Sequence, residues 1–239
     1  MRNSVAFVTY ILCIAIAVCT LAAWAVPGAT GVASNLNVPM PPFLTQFAAM
    51  LQPVSAAGGP WQLVSYMFLH ASLPHFLCNV ASLLYVGTMV ERLYGHGRML
   101  VGFFASGVAG GVLFRFVHMA AGDVATCVGA SGAIFGLMGM YALFLLSEML
   151  SREPYFIDKK VAASLLASVA GVLAVNIFVS FTPGIAWEAH FGGLAAGILC
   201  AVVMLWQMRA RARADRQVAG SRYMPERNVP SGRGGGRRR

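Results

Sequence analysis

Charge is what this chain has least of. Only 10% of its 239 residues are Asp, Glu, Lys or Arg, 58% are hydrophobic, and the mean hydropathy is +0.71. That balance excludes an ordinary soluble domain, because one core of this length cannot bury so much apolar surface. Cysteine is sparse too. The five present (Cys13, Cys19, Cys78, Cys127 and Cys200) fall mostly inside apolar runs without paired C-x-x-C spacing. They read as small buried hydrophobes, and indicate neither a disulfide framework nor a zinc site. The histidines lack companion ligands at zinc spacing, so no metal or cofactor is expected. The two halves of the chain share no repeat, which weighs against a transporter built from inverted repeats.

What the chain does have is apolar length. A bilayer core of about 30 Å takes about 20 helical residues. Six runs of that order stand between charges or turns: Val5–Val26, Pro74–Val90, Met99–Ala121, Cys127–Leu146, Val161–Phe181 and Trp187–Met208. The expected fold class is therefore all-α, a polytopic membrane protein. Arg2 and Ala23-Trp24-Ala25 give the first run a look of a secretory signal. Its apolar stretch exceeds the roughly 7–15 residues of a signal core, so it reads as an uncleaved helix.

Basic residues are absent from Asn3 to Val90, a span that includes the long connection from Pro27 to Leu73. They return in alternate connections: Arg92 and Arg98 after the second run, Arg152, Lys159 and Lys160 after the fourth, and ten arginines from Arg209 onward. Of seventeen basic residues only Arg115 falls near the opposite end. The positive-inside rule then expects both termini in the cytoplasm and the long connection outside. The domain organisation expected is a membrane domain over residues 1–208, with 27–73 as its long external loop, followed by an Arg/Gly-rich tail over 209–239. The tail reads as disordered and drawn to anionic lipid headgroups, not to nucleic acid. The long loop holds Phe43, Phe47, Leu51, Trp61, Leu63, Tyr66 and Phe68. It is expected to lie partly in the interface, with Trp61 and Tyr66 at headgroup level.

The second, fourth and sixth runs all pass from outside to inside, so their N-terminal ends share one leaflet. Polar side chains are costly in a bilayer, and here they collect at that depth. The second run carries His75 and Asn79, at i and i+4 on one face; the fourth carries Ser131; the sixth carries His190, with Glu188 just before it. His190 shares its face with Gly193 and Gly197, and the fourth run offers Gly129, Gly132 and Gly136. Small faces let membrane helices approach below about 8–10 Å. That would bring Ser131 and His190 within the ~2.6–3.2 Å that a nucleophile and its general base require. Glycine faces also pack bundles without chemistry, and a serine near a helix start commonly bonds back to its own helix. The joint placement on three helices favours chemistry. The stretch "GASGAIFG", Gly129 to Gly136, is not the G-x-S-x-G of a hydrolase elbow, and no strand is expected before it. Neither Glu188 nor Asp123 makes a third triad member, so a Ser–His dyad is expected.

These stretches resemble the rhomboid intramembrane serine proteases. "GASGAIFG" looks like that family's GxSG on its fourth helix, and "AHFGGLAAG" (Ala189–Gly197) like its sixth-helix histidine and glycine face. "HFLCN" (His75–Asn79) is similar to the HxxxN of its second helix, and "ERLYG" (Glu91–Gly95) to that helix's acidic-basic end. The likeness spans about residues 5–208 and leaves the tail unmatched. The resemblance implies a compact six-helix bundle with a water-filled cavity open to the outside. Within it, Ser131 would be the nucleophile and His190 the general base, then acid. His75, Asn79 and the Ser131 backbone N–H would form the oxyanion hole, and Phe135 would pack on the histidine ring. The fifth helix and the loop after the fourth would govern entry of a substrate helix. The implied activity is endopeptidase cleavage of transmembrane-anchored proteins near the external boundary of a bacterial inner membrane. The alternatives are a catalytically silent relative that binds membrane helices, and a channel or transporter. Many members carry Trp-Arg in the first loop, where this chain has Trp61-Gln62, and His70 reads as structural.

Overall fold

Short polar side chains, glycine and proline set where the helices begin and end. The computed structural model describes residues 5–25, 50–52, 59–123, 125–152, 154 and 156–222. Six helices within it are long and apolar enough to cross a membrane: α1 (Phe7–Trp24), α2 (Leu73–Tyr94), α3 (His96–Ala121), α4 (Ser131–Leu150), α5 (Lys159–Ser180) and α6 (Trp187–Arg222). The fold is an all-α polytopic bundle. Ser72 starts α2: its backbone is extended, its hydroxyl accepts from the His75 N–H at 3.3 Å, and Pro74 occupies the first turn. Midway, α2 widens into a π-helical turn over Leu83–Gly87. Gly122, at φ 70°, ends α3 in the left-handed conformation that only glycine takes without strain. Asp158 caps α5 by accepting from the N–H groups of Lys160 and Val161 at 2.8 and 3.4 Å.

The core is centred on α4. Burial covers 67% of its most apolar window against 11% for α5. Helix α4 runs between α3, α5 and α6, whereas α5 leans mainly on α4 and turns most of its surface outward. Two buried carboxylates hold the basic end of the bundle. Glu91 accepts from the backbone N–H groups of Val8 and Thr9 at 2.9 and 2.8 Å and from the Thr9 hydroxyl at 2.6 Å, and it pairs with His96 Nδ1 at 2.6 Å. It thereby supplies, from α2, the cap that the first turn of α1 lacks in its own sequence. Glu148 does the same for the α4–α5 connection, accepting from Phe156 and Ile157 N–H at 2.8 and 3.4 Å while Arg209 Nη2 of α6 reaches it at 3.1 Å. Glu91→Ala would strand the buried Thr9 N–H and the part-buried Val8 N–H, at about 1–3 kcal/mol for a fully buried donor. The expected result is a loss of about 3 kcal/mol in detergent unfolding, with α1 the first segment cut in limited proteolysis.

The structure departs from the sequence reading at several places. Helix α4 starts at Ser131, not Cys127, and a strand does precede it: Ala125–Cys127 (β2) pairs antiparallel with Met50–Gln52 (β1), Leu51 opposite Thr126. The ladder consumes backbone groups that a helix would need, and Gly129 at φ 123° breaks the chain direction before α4 begins. Helix α6 continues past Met208 to Arg222, because the Arg/Ala-rich sequence there is strongly helix-forming. The rest of the tail lies outside the described residues, as do Phe43 and Phe47 of the long loop. Tyr66 is fully buried and so does not face headgroups as an anchor; its hydroxyl donates to the Gly107 carbonyl of α3 at 2.7 Å. Trp61 is 53% exposed.

Candidate active site

Three helix starts converge beside the β1–β2 ladder. A short helical stretch, Gln62 to Phe68, lays Tyr66 against α3, and the Tyr66 carbonyl accepts from the Gly129 N–H at 2.9 Å. This fixes the turn ahead of α4. Two residues on, Ser131 is the first helical residue, so its backbone N–H has no acceptor within the helix. A Cβ on Gly129 would stand 2.8 Å from Cε1 and Nε2 of His75 and 3.8 Å from Ser131 Oγ, so the bare glycine keeps the His75 ring next to the serine.

The imidazole comes from the first turn of α6. His190 Nε2 lies 2.7 Å from Ser131 Oγ, across 59 residues of sequence. The ring is 8% exposed, and Phe135, one turn below the serine, stacks on it with centroids 4.3 Å apart and planes 12° apart. Its other nitrogen, Nδ1, is 2.6 Å from the hydroxyl of Ser180, the last residue of α5. Ser180 was invisible to sequence reasoning: a serine closing an apolar helix carries no pattern that ties it to a histidine ten residues on.

The glycines permit this approach. A Cβ on Gly193 would overlap the Gly132 carbonyl oxygen, one on Gly197 the Gly136 carbonyl oxygen, and one on Gly136 the Ser106 hydroxyl. On Gly132 it would lie 2.9 Å from the Ala189 carbonyl oxygen. Helices α4 and α6 thus touch backbone to backbone.

The remaining polar groups divide between site and scaffold. Asn79 is buried and its Nδ2 donates to the His75 carbonyl at 2.9 Å. Glu188 and Asp123 both face His118, at 3.4 and 2.8 Å. His70 ties the loop to α1: its Nδ1 meets Thr20 Oγ1 at 3.1 Å, and its carbonyl accepts from Trp24 Nε1 at 3.0 Å. Burial, with the His75 ring beside it, pushes His70 down to about 3, so it stays neutral at ordinary pH. In the first loop the buried Gln62 accepts from Arg115 Nη2 of α3 at 3.4 Å. Arg115 therefore reaches the loop position next to Trp61.

The family model for the rhomboid domain matches residues 57–207, the stretch that contains every one of these groups except those of α1. The chain belongs to the rhomboid family. Over 167 residues it is 32% identical to RHOMBOID-like protein 5 of Arabidopsis thaliana, covering 70% of this chain and 51% of that one. Over 145 residues it is 33% identical to RHOMBOID-like protein 1 of the same plant, covering 61% and 34%. The rhomboid protease GluP of Bacillus subtilis is 32% identical over 162 residues, covering 67% and 29%. This rhomboid spans about half or less of the length of these curated relatives. At the level of the family, the site belongs with multi-pass membrane proteins that include intramembrane proteases acting on transmembrane substrates.

Proposed function

We propose that this rhomboid is an intramembrane serine endopeptidase that uses a Ser131–His190 dyad to cut transmembrane-anchored proteins near the external membrane boundary. The observation that carries the reading is the 2.7 Å contact between Ser131 Oγ and His190 Nε2 within a buried, ring-stacked setting. That distance lets the imidazole take the hydroxyl proton as Oγ bonds to the scissile carbonyl carbon. The resulting oxyanion is received by the Ser131 backbone N–H, the His75 ring and the second N–H of the Asn79 amide, one of whose hydrogens already binds the His75 carbonyl. As the C–N bond breaks, His190 returns the proton to the leaving amine. Water, deprotonated by the same nitrogen, then splits the acyl ester and Ser131 recovers its hydrogen. The substrate must unwind locally to expose a peptide bond, so helix-weakening residues near the cut are expected.

The charge distribution supports a placement with both termini in the cytoplasm of a bacterial inner membrane and the dyad near the outer face. Residues 1–208 then form the membrane domain, with the basic segment beyond against anionic headgroups. The test uses purified protein in liposomes with a labelled single-span peptide. Cleavage products mapped by mass are expected to place the cut within about two turns of the external boundary. Cleavage at the cytoplasmic boundary, or none with a panel of helix-weakened spans, would contradict the reading.

A further inference from the structure

The second nitrogen of His190 meets a hydroxyl that also has a carbonyl oxygen within reach. Ser180 Oγ lies 2.7 Å from the Asn176 carbonyl oxygen, one turn back on α5, and 2.6 Å from His190 Nδ1. A serine hydroxyl has one hydrogen to give, and a carbonyl oxygen can only accept. With that hydrogen given to Asn176, Ser180 presents a lone pair toward the imidazole. That lone pair calls for a proton on Nδ1, leaving Nε2 bare toward Ser131 at 2.7 Å. Ser180 is fully buried and His190 is 8% exposed, so their contact is shielded from bulk solvent.

We propose that Ser180 is a positioning residue: it fixes His190 in the Nδ1–H tautomer and, with Phe135 on the ring face, in the orientation that aims Nε2 at Ser131. The relay runs from the Ser131 hydroxyl to Nε2, and from Nδ1–H through the Ser180 hydroxyl to the Asn176 carbonyl. It gives the dyad the orienting partner that Asp123 and Glu188, both engaged with His118, do not supply. It also ties the end of α5, an otherwise loosely packed helix, to the chemistry. The inference rests on the dyad reading, since a tautomer lock matters for turnover only if His190 is the base.

The decisive measurement is independent of activity. Protein labelled with 15N-histidine is compared with His190→Gln to assign the ring nitrogens of residue 190. The wild type is expected to show a protonated Nδ1 and an unprotonated Nε2, and Ser180→Ala a mixture of tautomers. In parallel, Ser180→Ala is expected to lower kcat by about 10- to 100-fold, the cost of orphaning a buried donor, with KM changed less than about twofold. Ser180→Thr, which keeps the hydroxyl, should recover most of the loss. A wild-type His190 protonated on Nε2 would overturn the proposal even if every variant failed to fold, and so would Ser180→Ala turnover equal to wild type. Should Ser131→Ala cleave normally, the dyad reading fails, while the nitrogen spectrum still decides what Ser180 does to the ring.

Discussion

Ser131→Ala and His190→Ala are each expected to lower peptide-bond cleavage by about four orders of magnitude or more, with the double variant no worse than either single one. In the proposed mechanism the two groups act as a unit: without the base the hydroxyl is a poor nucleophile, and without the hydroxyl the base has no proton to take. Removing the serine hydroxyl leaves the fold in place. Among the described residues its Oγ is bonded to His190 alone, and alanine at the first position of α4 keeps the backbone N–H in place. The unfolding midpoint of Ser131→Ala should therefore match wild type within a few degrees while cleavage disappears. A variant that lost activity and stability together would point to packing in place of chemistry.

The second large effect is structural. Gly193→Val places two methyl groups on a Cβ that already overlaps the Gly132 carbonyl oxygen, and the backbone of neither helix can yield as a side chain would. Helices α4 and α6 must separate, which costs packing along the whole contact and carries Ser131 away from His190. Destabilisation of about 4 kcal/mol or more is expected, with cleavage lost even in molecules that remain folded, because a shift of about 1 Å ruins the dyad. Gly171→Ala on α5 is the control: a Cβ there meets nothing within 4 Å, so stability should hold or rise by about 0.5–1 kcal/mol. Thermal unfolding in detergent of the two variants beside wild type checks both.

What the sequence made legible follows from how its signals are written. Hydropathy is an average over many residues, so all six spans are visible in it. The i, i+4 pairing of His75 with Asn79 and the small faces of α4 and α6 survive because helical periodicity converts spacing into direction. Hydropathy does not tell an apolar strand from the start of an apolar helix, and the sequence-drawn start at Cys127 was early for that reason. Tyr66 reads as a headgroup anchor by type, but its neighbours turn it inward: the Gly107 carbonyl takes its hydroxyl hydrogen and its own carbonyl holds Gly129. Ser180 depends on the turn between α5 and α6, where six residues of irregular backbone set the angle and no periodicity applies. The contact of Arg115 on α3 with Gln62 of the first loop was likewise unreadable, since it needs the distance between two segments 53 residues apart.

The most direct test of the central claim is covalent capture of the nucleophile. A fluorophosphonate probe reacts with a serine only when a neighbouring base removes its proton. Peptide mapping of the labelled wild-type protein is expected to show one adduct, on Ser131, formed at a rate that collapses in His190→Ala. An adduct on another residue, or labelling of Ser131→Ala at the wild-type rate, would contradict the account.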